Sequence, residues 1–417
     1  MNSAPDPGSQ SERRQRSRFL RLVKHRSTIL GAVGSIDDGP RRGLPALLRL
    51  CHRSHNPRMT HIDRRDRSED QGDEQMHADL STPRRRGHRI RILAVVAAGL
   101  ALLAACGQGG GGGDASAYPE DSITITVPFS AGGPTDTVTR LVAKPMSKDL
   151  GQEIVVKNVE GAGGTLGAGD VANAEPDGYN LLMHHIGMST APALYPDLAY
   201  DPLKDFKTIG LVTIVPMTIV SNKDFEPNNL EELITYVKAN ADKVTIANAG
   251  VGAASQLCGL LIEKAVGADL NEVPYDGTGP ALTDLVGGQV DFMCDQTTNT
   301  VPQIKGDKVK AFAVTTPERI KALPDLQTTA EAGQPDIEVG VWHGLYAPAE
   351  TPDEVVKAVT DSLAKALKDP AVIQKFADLG TEPAPDDQVT PDAQTKLLTE
   401  QIDLWGPVIE EAGVKGS

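Results

Sequence analysis

Histidine, cysteine and aromatic residues are scarce in this chain of 417 residues. Aromatic side chains make up 4% of it, and beyond residue 105 the only histidines are His184, His185 and His343. With so few imidazole and thiol groups there is no Cys/His cluster of the kind that holds zinc, so we expect neither a metal site nor a cofactor. The sequence also lacks the G-x-S-x-G, H-E-x-x-H and P-loop motifs. These absences disfavour an enzyme, and we predict no catalytic residues.

Positive charge is also scarce once the first 105 residues are set aside. Of the 41 Lys and Arg and 56 Asp and Glu, 20 and 11 lie in residues 1–105, which leaves 21 and 45 and a formal net charge of −24 for the rest. A body this acidic repels nucleic acid and anionic membrane surfaces, so neither is expected as a partner. An anionic ligand must then be held by local N–H groups and helix dipoles.

An export signal precedes this acidic part. Arginines cluster over residues 84–91, and the apolar stretch 92–105 that follows is too short to span a membrane. The residues at its end, Leu103-Ala104-Ala105-Cys106, resemble a bacterial lipobox, in which the signal peptide is cut before a cysteine that becomes lipidated. We therefore predict a signal peptide over 76–105, a lipid anchor on Cys106 and a flexible linker over 106–120. A plain secretory signal with an incidental cysteine is the alternative.

Residues 1–75 form an Arg-rich leader without sustained periodicity, which places the signal far from the first residue. We interpret this leader as misassigned or disordered sequence that arises from a start codon set too early. Met76, or alternatively Met59, would begin a lipoprotein signal of ordinary length. A basic arm that binds nucleic acid is the rival interpretation, and the signal sequence downstream argues against it.

Two cysteines remain after Cys51 in the leader and Cys106 at the lipid site. Cys258 lies in a predicted helix and Cys294 at the end of a predicted strand. In an exported domain they suggest a disulfide that closes a loop of about 37 residues and contributes about 3 to 4 kcal/mol. Two buried free thiols are the alternative.

The first predicted structural unit of the acidic part is a strand, a glycine turn and a helix. The alternating β-branched run 123–127 predicts a strand that ends at Pro128, and an amphipathic helix follows the Gly132-Gly133 turn. Glycines let the backbone approach a ligand, and the unpaired N–H groups of a first helical turn favour a carboxylate or phosphate. The sequence therefore outlines an anion site here, although an ordinary strand-to-helix turn has the same pattern.

Similar units follow along the chain. Strand 153–158 leads into glycine loop 161–167, and strand 179–185 leads into residues 187–190, which predicts a parallel sheet with loops at the carboxyl ends of its strands. The glycine loop is not a dinucleotide fingerprint, because Leu166 takes the place of its last glycine. The apolar run 209–220 predicts a long crossover strand, after which a second α/β set begins and residues 340–347 return the chain. The pattern is typical of a hinged α/β protein with two lobes.

Seven short motifs in these segments resemble the Bug family, the extracytoplasmic receptors of tripartite tricarboxylate transporters. Together they span residues 123–414, and their order is that of the family. The motifs are Val127-Pro128-Phe129-Ser130-Ala131-Gly132-Gly133-Pro134-Thr135-Asp136, Gly161-Ala162-Gly163-Gly164, Pro176-Asp177-Gly178-Tyr179, Val273-Pro274-Tyr275-Asp276-Gly277, Leu285-Val286-Gly287-Gly288-Gln289-Val290-Asp291, Leu323-Pro324-Asp325 with Ala330-Glu331-Ala332-Gly333, and Gly344-Leu345-Tyr346-Ala347-Pro348.

The resemblance implies a periplasmic-binding-protein fold of type II whose two crossover strands act as the hinge. Lobe 1 would comprise residues 121–219 plus 340–417, and lobe 2 residues 220–339. The implied function is a solute-binding receptor that closes on a small carboxylate and delivers it to the membrane permease subunits of the transporter. A sensor that signals to a partner without transport is the alternative, and a hydrolase is the least favoured.

Most of the predicted ligand-binding residues are implied by the resemblance, whereas His185, Ser189, Thr190 and His343 are predicted from their positions at the end of the third strand or on the returning strand. In lobe 1 the predicted residues are Phe129, Ser130, Ala131, Gly132, Gly133, Thr135, Asp136, Gly163, Gly164, His185, Ser189, Thr190 and His343. In lobe 2 they are Ala253, Ser255, Gln256, Tyr275, Asp295, Gln296 and Thr297. For Asp136 we favour a structural role in the first turn of its helix. His184 and His185 alternate across a strand, so at most one of them is expected to face the cleft. Residues 188–190 and Asp276 depart from the residues common in the family, which affects the identity of the ligand.

Overall fold

The segment that leads into the first strand packs against the rest of the protein. The structure, a computed structural model, describes residues 118–416. The predicted leader, the signal peptide, Cys106 and most of the linker lie outside these residues. The Tyr118 hydroxyl donates to the Gly178 carbonyl (2.8 Å), and the Tyr118 ring packs against Tyr179 with centroids 5.4 Å apart. The start of the described chain is therefore held against the turn that precedes the third strand.

Strands and helices alternate through most of residues 118–416. Short 3₁₀ helices lie at Ala162–Gly164 and Asp386–Gln388. The strands are β1 (Ile123–Val127), β2 (Ile154–Asn158), β3 (Asn180–His185), β4 (Phe206–Asn222), β5 (Thr245–Asn248), β6 (Asn271–Pro274), β7 (Phe292–Gln296), β8 (Val309–Val314) and β9 (Gly340–Pro348). The helices are α1 (Pro134–Leu150), α2 (Thr165–Ala172), α3 (Gly187–Leu194), α4 (Leu230–Ala239), α5 (Ala254–Val266), α6 (Thr278–Val286), α7 (Thr297–Lys305), α8 (Asp353–Leu367), α9 (Pro370–Asp378) and α10 (Pro391–Ala412).

The first strand and helix follow from their sequence. Ile123, Ile125 and Val127 are buried, as expected for a strand with apolar alternation. Helix α1 begins at Pro134, whose missing N–H costs nothing in the first turn, and it ends at Gly151, which adopts the left-handed conformation (φ 74°). The predicted strand, turn and helix are therefore present, and the turn lies at the carboxyl end of β1.

The strands form one mixed sheet in the order β2-β1-β3-β9-β4-β7-β5-β6, with β8 paired to β4. Pairing is parallel within β2-β1-β3 and within β7-β5-β6, whereas β9 runs antiparallel to both β3 and β4. The parallel pairing predicted for the first three strands is confirmed, and the antiparallel direction of β9 and β4 is a feature that the strand patterns did not predict. Parallel pairing needs a crossover connection, and the long strands β4 and β9 run between the two sets of strands without one.

Strand β4 belongs to both halves of the molecule. Residues 206–216 pair with β9, and residues 217–222 pair with β7 on one side and β8 on the other. The β2-β1-β3 group and the β5 to β8 group are therefore two lobes joined through β4 and β9. This arrangement is the two-lobed fold with two crossover strands that the resemblance implies.

Helices α3 and α7 are absent from the sequence-based prediction, and β7 lies two residues later than predicted. Both helices begin immediately after a strand, contain an internal proline (Pro192 and Pro302), and are rich in Ser, Thr and other residues of low helix propensity. Helix α3 packs against α10, and α7 packs against α1 and β4. Tertiary packing therefore stabilises helices that the local sequence does not favour.

Cys258 on α5 and Cys294 on β7 are both fully buried, and their Sγ atoms lie at the disulfide distance of 2.02 Å. The pair joins a helix to the strand next to β4 in lobe 2. The residues are 36 apart in sequence.

Candidate functional site

Four helices begin around one cavity between the lobes. The cavity is lined by Pro134 and Thr135 of α1, Ala254 of α5, Thr278 of α6, and Gln296, which caps α7. Each helix N-terminus carries N–H groups without an intrahelical partner and a partial positive charge. Their convergence makes the cavity a site for an anion.

The cavity itself is small, with a volume of about 20 Å³. That is enough for about one water molecule. Among residues 118–416 no Lys or Arg lines it, so helix N-termini and neutral groups supply its positive potential. The lining residues are Phe129, Gly133, Pro134, Thr135, His185, Ala249, Ala253, Ala254, Ser255, Thr278, Asp295 and Gln296. A dicarboxylate is several times larger than water, so the residues of the cavity wall must shift to hold one.

Asp136 organises the loop between β1 and α1. Its carboxylate accepts hydrogen bonds from the Gly132 N–H (2.9 Å), Asn158 Nδ2 (3.1 Å) and Arg140 Nε (2.9 Å). Burial raises the pKa of Asp136, but the hydrogen bonds from Arg140, Gly132 and Asn158 outweigh this and hold the pKa below its usual value. Asp136 does not line the cavity. Its contacts are those of the structural role predicted from its position in the first helical turn.

Donors face the cavity from both lobes. The first hydrogen bond of α1 runs from Thr137 N to Gly133 O (2.9 Å), so the Thr135 N–H is not used within the helix. In lobe 2 the Ser255 hydroxyl oxygen accepts from the Ala249 N–H (2.8 Å), which leaves its proton to donate. A carboxylate between Thr135 and Ser255 therefore meets hydrogen-bond donors on two sides.

An imidazole donor stands beside them. His185 lines the cavity, and its ring stacks on Phe129 with centroids 4.4 Å apart. Its Nδ1 accepts from the Gly187 N–H (3.0 Å), so the ring proton is on Nε2. Burial holds the pKa of His185 well below 6.5, with His184 and His343 adding repulsion. The ring is therefore neutral and its Nε2–H is a donor.

The other two histidines support this region without lining the cavity. His184 Nδ1 accepts from the His185 N–H (2.8 Å), and His343 Nε2 lies 3.3 Å from the Thr135 hydroxyl. Burial lowers the pKa of His184 to about 4 and that of His343 to about 3. Of the adjacent pair on β3, only His185 is part of the cavity wall.

The loops of the two lobes contact each other next to the cavity. Ser130 N donates to Asp276 O (3.1 Å) and the Thr190 hydroxyl donates to Gly252 O (3.0 Å). The Tyr195 hydroxyl donates to Val251 O (3.0 Å). The glycines here have no room for a side chain: a Cβ on Gly163 would overlap Val251 O, and a Cβ on Gly277 would overlap the Ser130 hydroxyl. The described conformation is therefore a closed one.

The structure brings eight of the predicted ligand residues to the cavity wall and leaves twelve outside it. The eight are Phe129, Gly133, Thr135, His185, Ala253, Ser255, Asp295 and Gln296. The twelve are Ser130, Ala131, Gly132, Asp136, Gly163, Gly164, Ser189, Thr190, Gln256, Tyr275, Thr297 and His343.

Several of the twelve residues form hydrogen bonds with nearby groups and not with the cavity. The Tyr275 hydroxyl donates to Asp284 (2.8 Å), and the Ser189 hydroxyl donates to Ile186 O (2.7 Å). The Thr297 hydroxyl instead donates from lobe 2 to Gly380 O (3.3 Å) in lobe 1. Others, such as Ser130, Gly163 and Thr190, form the contacts between the lobes.

Sequence reasoning missed four lining residues, Pro134, Ala249, Ala254 and Thr278. Pro134 and Ala254 are the first residues of α1 and α5, so the rule that helix N-termini hold anions contained the signal for them. Thr278 follows the Asp276-Gly277 turn and begins a helix in the same way. No sequence pattern marks Ala249 as a lining residue, because its position at the cavity depends on the path of the loop after β5.

Residues 118–416 offer neither a membrane-spanning helix nor a cluster of metal ligands. Within this part of the chain no helix has the length and apolar character to cross a membrane. The same residues contain no group of three or more His, Cys, Asp or Glu side chains arranged to hold a metal ion.

Two lobes joined by two crossover strands, with helix N-termini around the cavity between them, define a periplasmic-binding-protein fold. Residues 138–414 match the family described as the tripartite tricarboxylate transporter family receptor, and the chain belongs to that family. It is therefore a solute-binding receptor that acts outside the cytoplasm, and the family is not enzymatic.

Individual relatives agree with this assignment. A protein of Agrobacterium vitis, described as a UPF0065 protein in the TAR-I ttuE-ttuC' intergenic region, is 52% identical over 71% of this chain and 86% of its own. The solved periplasmic binding protein BugD is 49% identical over 72% of this chain and 99% of its own, with a TM-score of 0.70. MatC from Rhodopseudomonas palustris, solved with bound malate, is 42% identical over 70% of this chain and 100% of its own, with a TM-score of 0.68.

Proposed function

We propose that this receptor closes on a small carboxylate between its lobes and delivers it to the membrane permease subunits of a tripartite tricarboxylate transporter. The observation that carries the proposal is the convergence of four helix N-termini on a cavity with no lysine or arginine in its wall. Backbone N–H groups of this kind bind a carboxylate without a neighbouring cation. The malate in MatC supports the same class of ligand.

One carboxylate of the ligand occupies the space between α1 and α5. The Thr135 N–H, the Ser255 hydroxyl and the His185 Nε2–H donate to it. Phe129 and Gly133 form the wall on the lobe 1 side, and Ala253 forms it on the lobe 2 side. Among the predicted residues outside the wall, those at the interlobe contacts act by holding the lobes closed.

The lobes consist of residues 121–219 plus 340–417 and of residues 220–339. They rotate about β4 and β9, and the open form admits the ligand. On closure, the Ser130, Thr190 and Tyr195 hydrogen bonds to the lobe 2 loops form. The glycines at these loops support the rotation, because their lack of side chains lets the two backbones meet.

The receptor is a lipoprotein in this proposal. Its signal peptide, over 76–105, is removed, Cys106 carries the lipid anchor, and the glycine-rich linker leads to the described part. Cys258 and Cys294 form a disulfide, which fits an extracytoplasmic location. Labelling with a fatty-acid analogue tests the anchor: Cys106→Ser is expected to lose the label and to be released from the membrane. Retention of the label would contradict it.

The experiment for the ligand class is a panel of carboxylates and their neutral amides in a thermal-shift assay, followed by calorimetric titration. A ligand at a hundred times its Kd stabilises the folded state by about 2.7 kcal/mol, which raises the melting temperature measurably. At least one small carboxylate is expected to do so, and its amide is not. Binding of the amide with equal affinity, or of neutral solutes alone, would contradict the proposed function.

A further inference from the structure

Asp295 is a buried acid in a site built for an anion. It lies on β7 among the residues that line the cavity, and its exposure is 1%. No Lys or Arg is among the residues that share the cavity wall with it. Its negative charge is therefore balanced only by neutral hydrogen-bond donors.

The Asp295 carboxylate can accept more hydrogen bonds than these donors supply. Asn299 Nδ2 donates to Oδ2 (2.6 Å) and the Gln296 N–H donates to Oδ1 (2.8 Å). A carboxylate has about four lone-pair sites, so these two donors leave room for another. Burial raises the pKa of Asp295 to about 6 in spite of these bonds, which indicates incomplete compensation of its charge.

A second acceptor adjoins the first on the same wall. Gln296 also lines the cavity, and its buried Oε1 has no hydrogen-bond partner within the described protein. The donors described above, from Thr135, Ser255 and His185, belong to other parts of the wall. The cavity thus has donors that suit a carboxylate and, beside them, acceptors that do not.

We propose that Asp295 is a specificity-determining residue, which selects carboxylates that bear an O–H or N–H donor on the carbon skeleton next to the bound carboxylate. This inference rests on the proposed function. A hydroxyl or an ammonium group fills the open acceptor position on Asp295. A ligand without such a donor leaves Asp295 desolvated and unpaired, and sites that are built to hydrogen-bond a ligand reject analogues that lack the group.

Succinate, L-malate and L-aspartate form a matched set of ligands for the test. They share a four-carbon dicarboxylate skeleton and differ only in a hydrogen, hydroxyl or ammonium substituent. Calorimetric titration of the wild-type protein is expected to give malate or aspartate a Kd at least about tenfold lower than that of succinate. The two substituted ligands distinguish a hydroxyl donor from an ammonium donor.

Asp295→Asn is the variant, because it removes the charge and keeps the shape. The preference over succinate is expected to fall at least about tenfold if the ligand donor is ammonium, and less if it is hydroxyl, because the amide oxygen still accepts from O–H. Asp269→Asn is the control. Asp269 is an exposed residue of lobe 2, and its substitution removes one negative charge as Asp295→Asn does, so all three affinities are expected to stay unchanged.

The possible failures can be told apart. If the wild-type protein binds succinate as tightly as malate and aspartate, Asp295 does not select a donor and the inference is overturned while the proposed function stands. The same holds if Asp295→Asn is folded and keeps the wild-type preference. If no carboxylate binds the wild-type protein, both proposals fail. The wild-type ratios decide the outcome even where the variant does not fold.

Discussion

Gly163 of lobe 1 lies directly against the carbonyl oxygen of Val251 in lobe 2. Its φ is +61°, and a Cβ at this position would overlap that oxygen and stand 2.8 Å from the Tyr195 hydroxyl. The two loops meet backbone to backbone beside the cavity. Closure of the receptor therefore depends on the absence of a side chain at residue 163.

Gly163→Ala is expected to weaken ligand binding at least about tenfold, because the closed conformation would contain the overlap with Val251 and the open one would not. Calorimetric titration measures the affinity. The control is Gly288→Ala, which also has a positive φ (+70°) but no atom within 4 Å of the added Cβ. It is expected to cost about 1 to 2 kcal/mol of stability and to leave affinity unchanged. Equal effects of the two variants on affinity would show that closure does not bring these loops together.

Tyr195→Phe removes a hydrogen bond that exists only when the lobes are closed. The Tyr195 hydroxyl donates to Val251 O at 3.0 Å. Its loss is expected to weaken ligand binding by about 0.5 to 1.5 kcal/mol, or about two- to tenfold, with little change in the stability of the ligand-free protein. Tyr236→Phe, on helix α4, is the matched control and is expected to bind as the wild type does. A purely structural role for Tyr195 would instead lower the unfolding free energy and spare the affinity.

The three buried histidines make stability depend on pH. The pKa of His184 is about 4 and that of His343 about 3, and the pKa of His185 is also low, whereas the unfolded side chains titrate near 6.5. Their contribution is complete above about pH 6.5 and is lost as the pH falls towards these folded values. The contribution of Asp295 to stability depends on pH in the opposite direction. It is present below about pH 3.8 and is lost as the pH rises through about 6.

Burial also raises the pKa of Glu263, Glu272 and Glu338, but the shifts of the three histidines are larger, so the free energy of unfolding is expected to fall between about pH 6.5 and pH 5. Urea denaturation at several pH values measures it. His343→Gln keeps a polar amide near Thr135 and is expected to show a shallower dependence on pH than the wild type. An unchanged slope would mean that His343 is not held neutral in the fold.

Replacing both Cys258 and Cys294 by Ala is expected to lower the free energy of unfolding by about 3 to 4 kcal/mol, the loop-closure contribution for this sequence separation. Reduction of the wild-type protein should produce a comparable loss. The same reductant should leave the double variant unaffected. Two free thiols in the unfolded, unreduced protein would establish the alternative of buried unpaired cysteines.

The sequence predicts those parts of the fold whose local signals agree with one another. The strand β1, the Gly132-Gly133 turn and the helix that begins at Pro134 lie where the alternation, glycine and proline patterns put them. Helices α3 and α7 were missed because their polar sequences are helical only through packing. The antiparallel direction of β4 and β9 was not predicted, because a strand pattern carries no information about the direction of its neighbour.

The residues of the candidate site also divide into those that the local sequence predicts and those that it does not. Residues that enter the cavity as part of a glycine loop at a helix start, such as Thr135 and Ser255, were predictable from local sequence. The direction of the Tyr275 side chain was not, because its hydroxyl pairs with Asp284 one helix further along the chain. Nor did the sequence predict that Gly163 and Val251 meet, since that contact depends on how far the lobes close.

The most direct test of the central claim is a crystal structure of the protein with whichever small carboxylate it binds most tightly. We expect one carboxylate of the ligand to lie between the lobes, within hydrogen-bonding distance of Thr135 N at the start of α1 and of the Ser255 hydroxyl on α5. A ligand bound elsewhere, or held mainly by lysine or arginine side chains, would contradict the account.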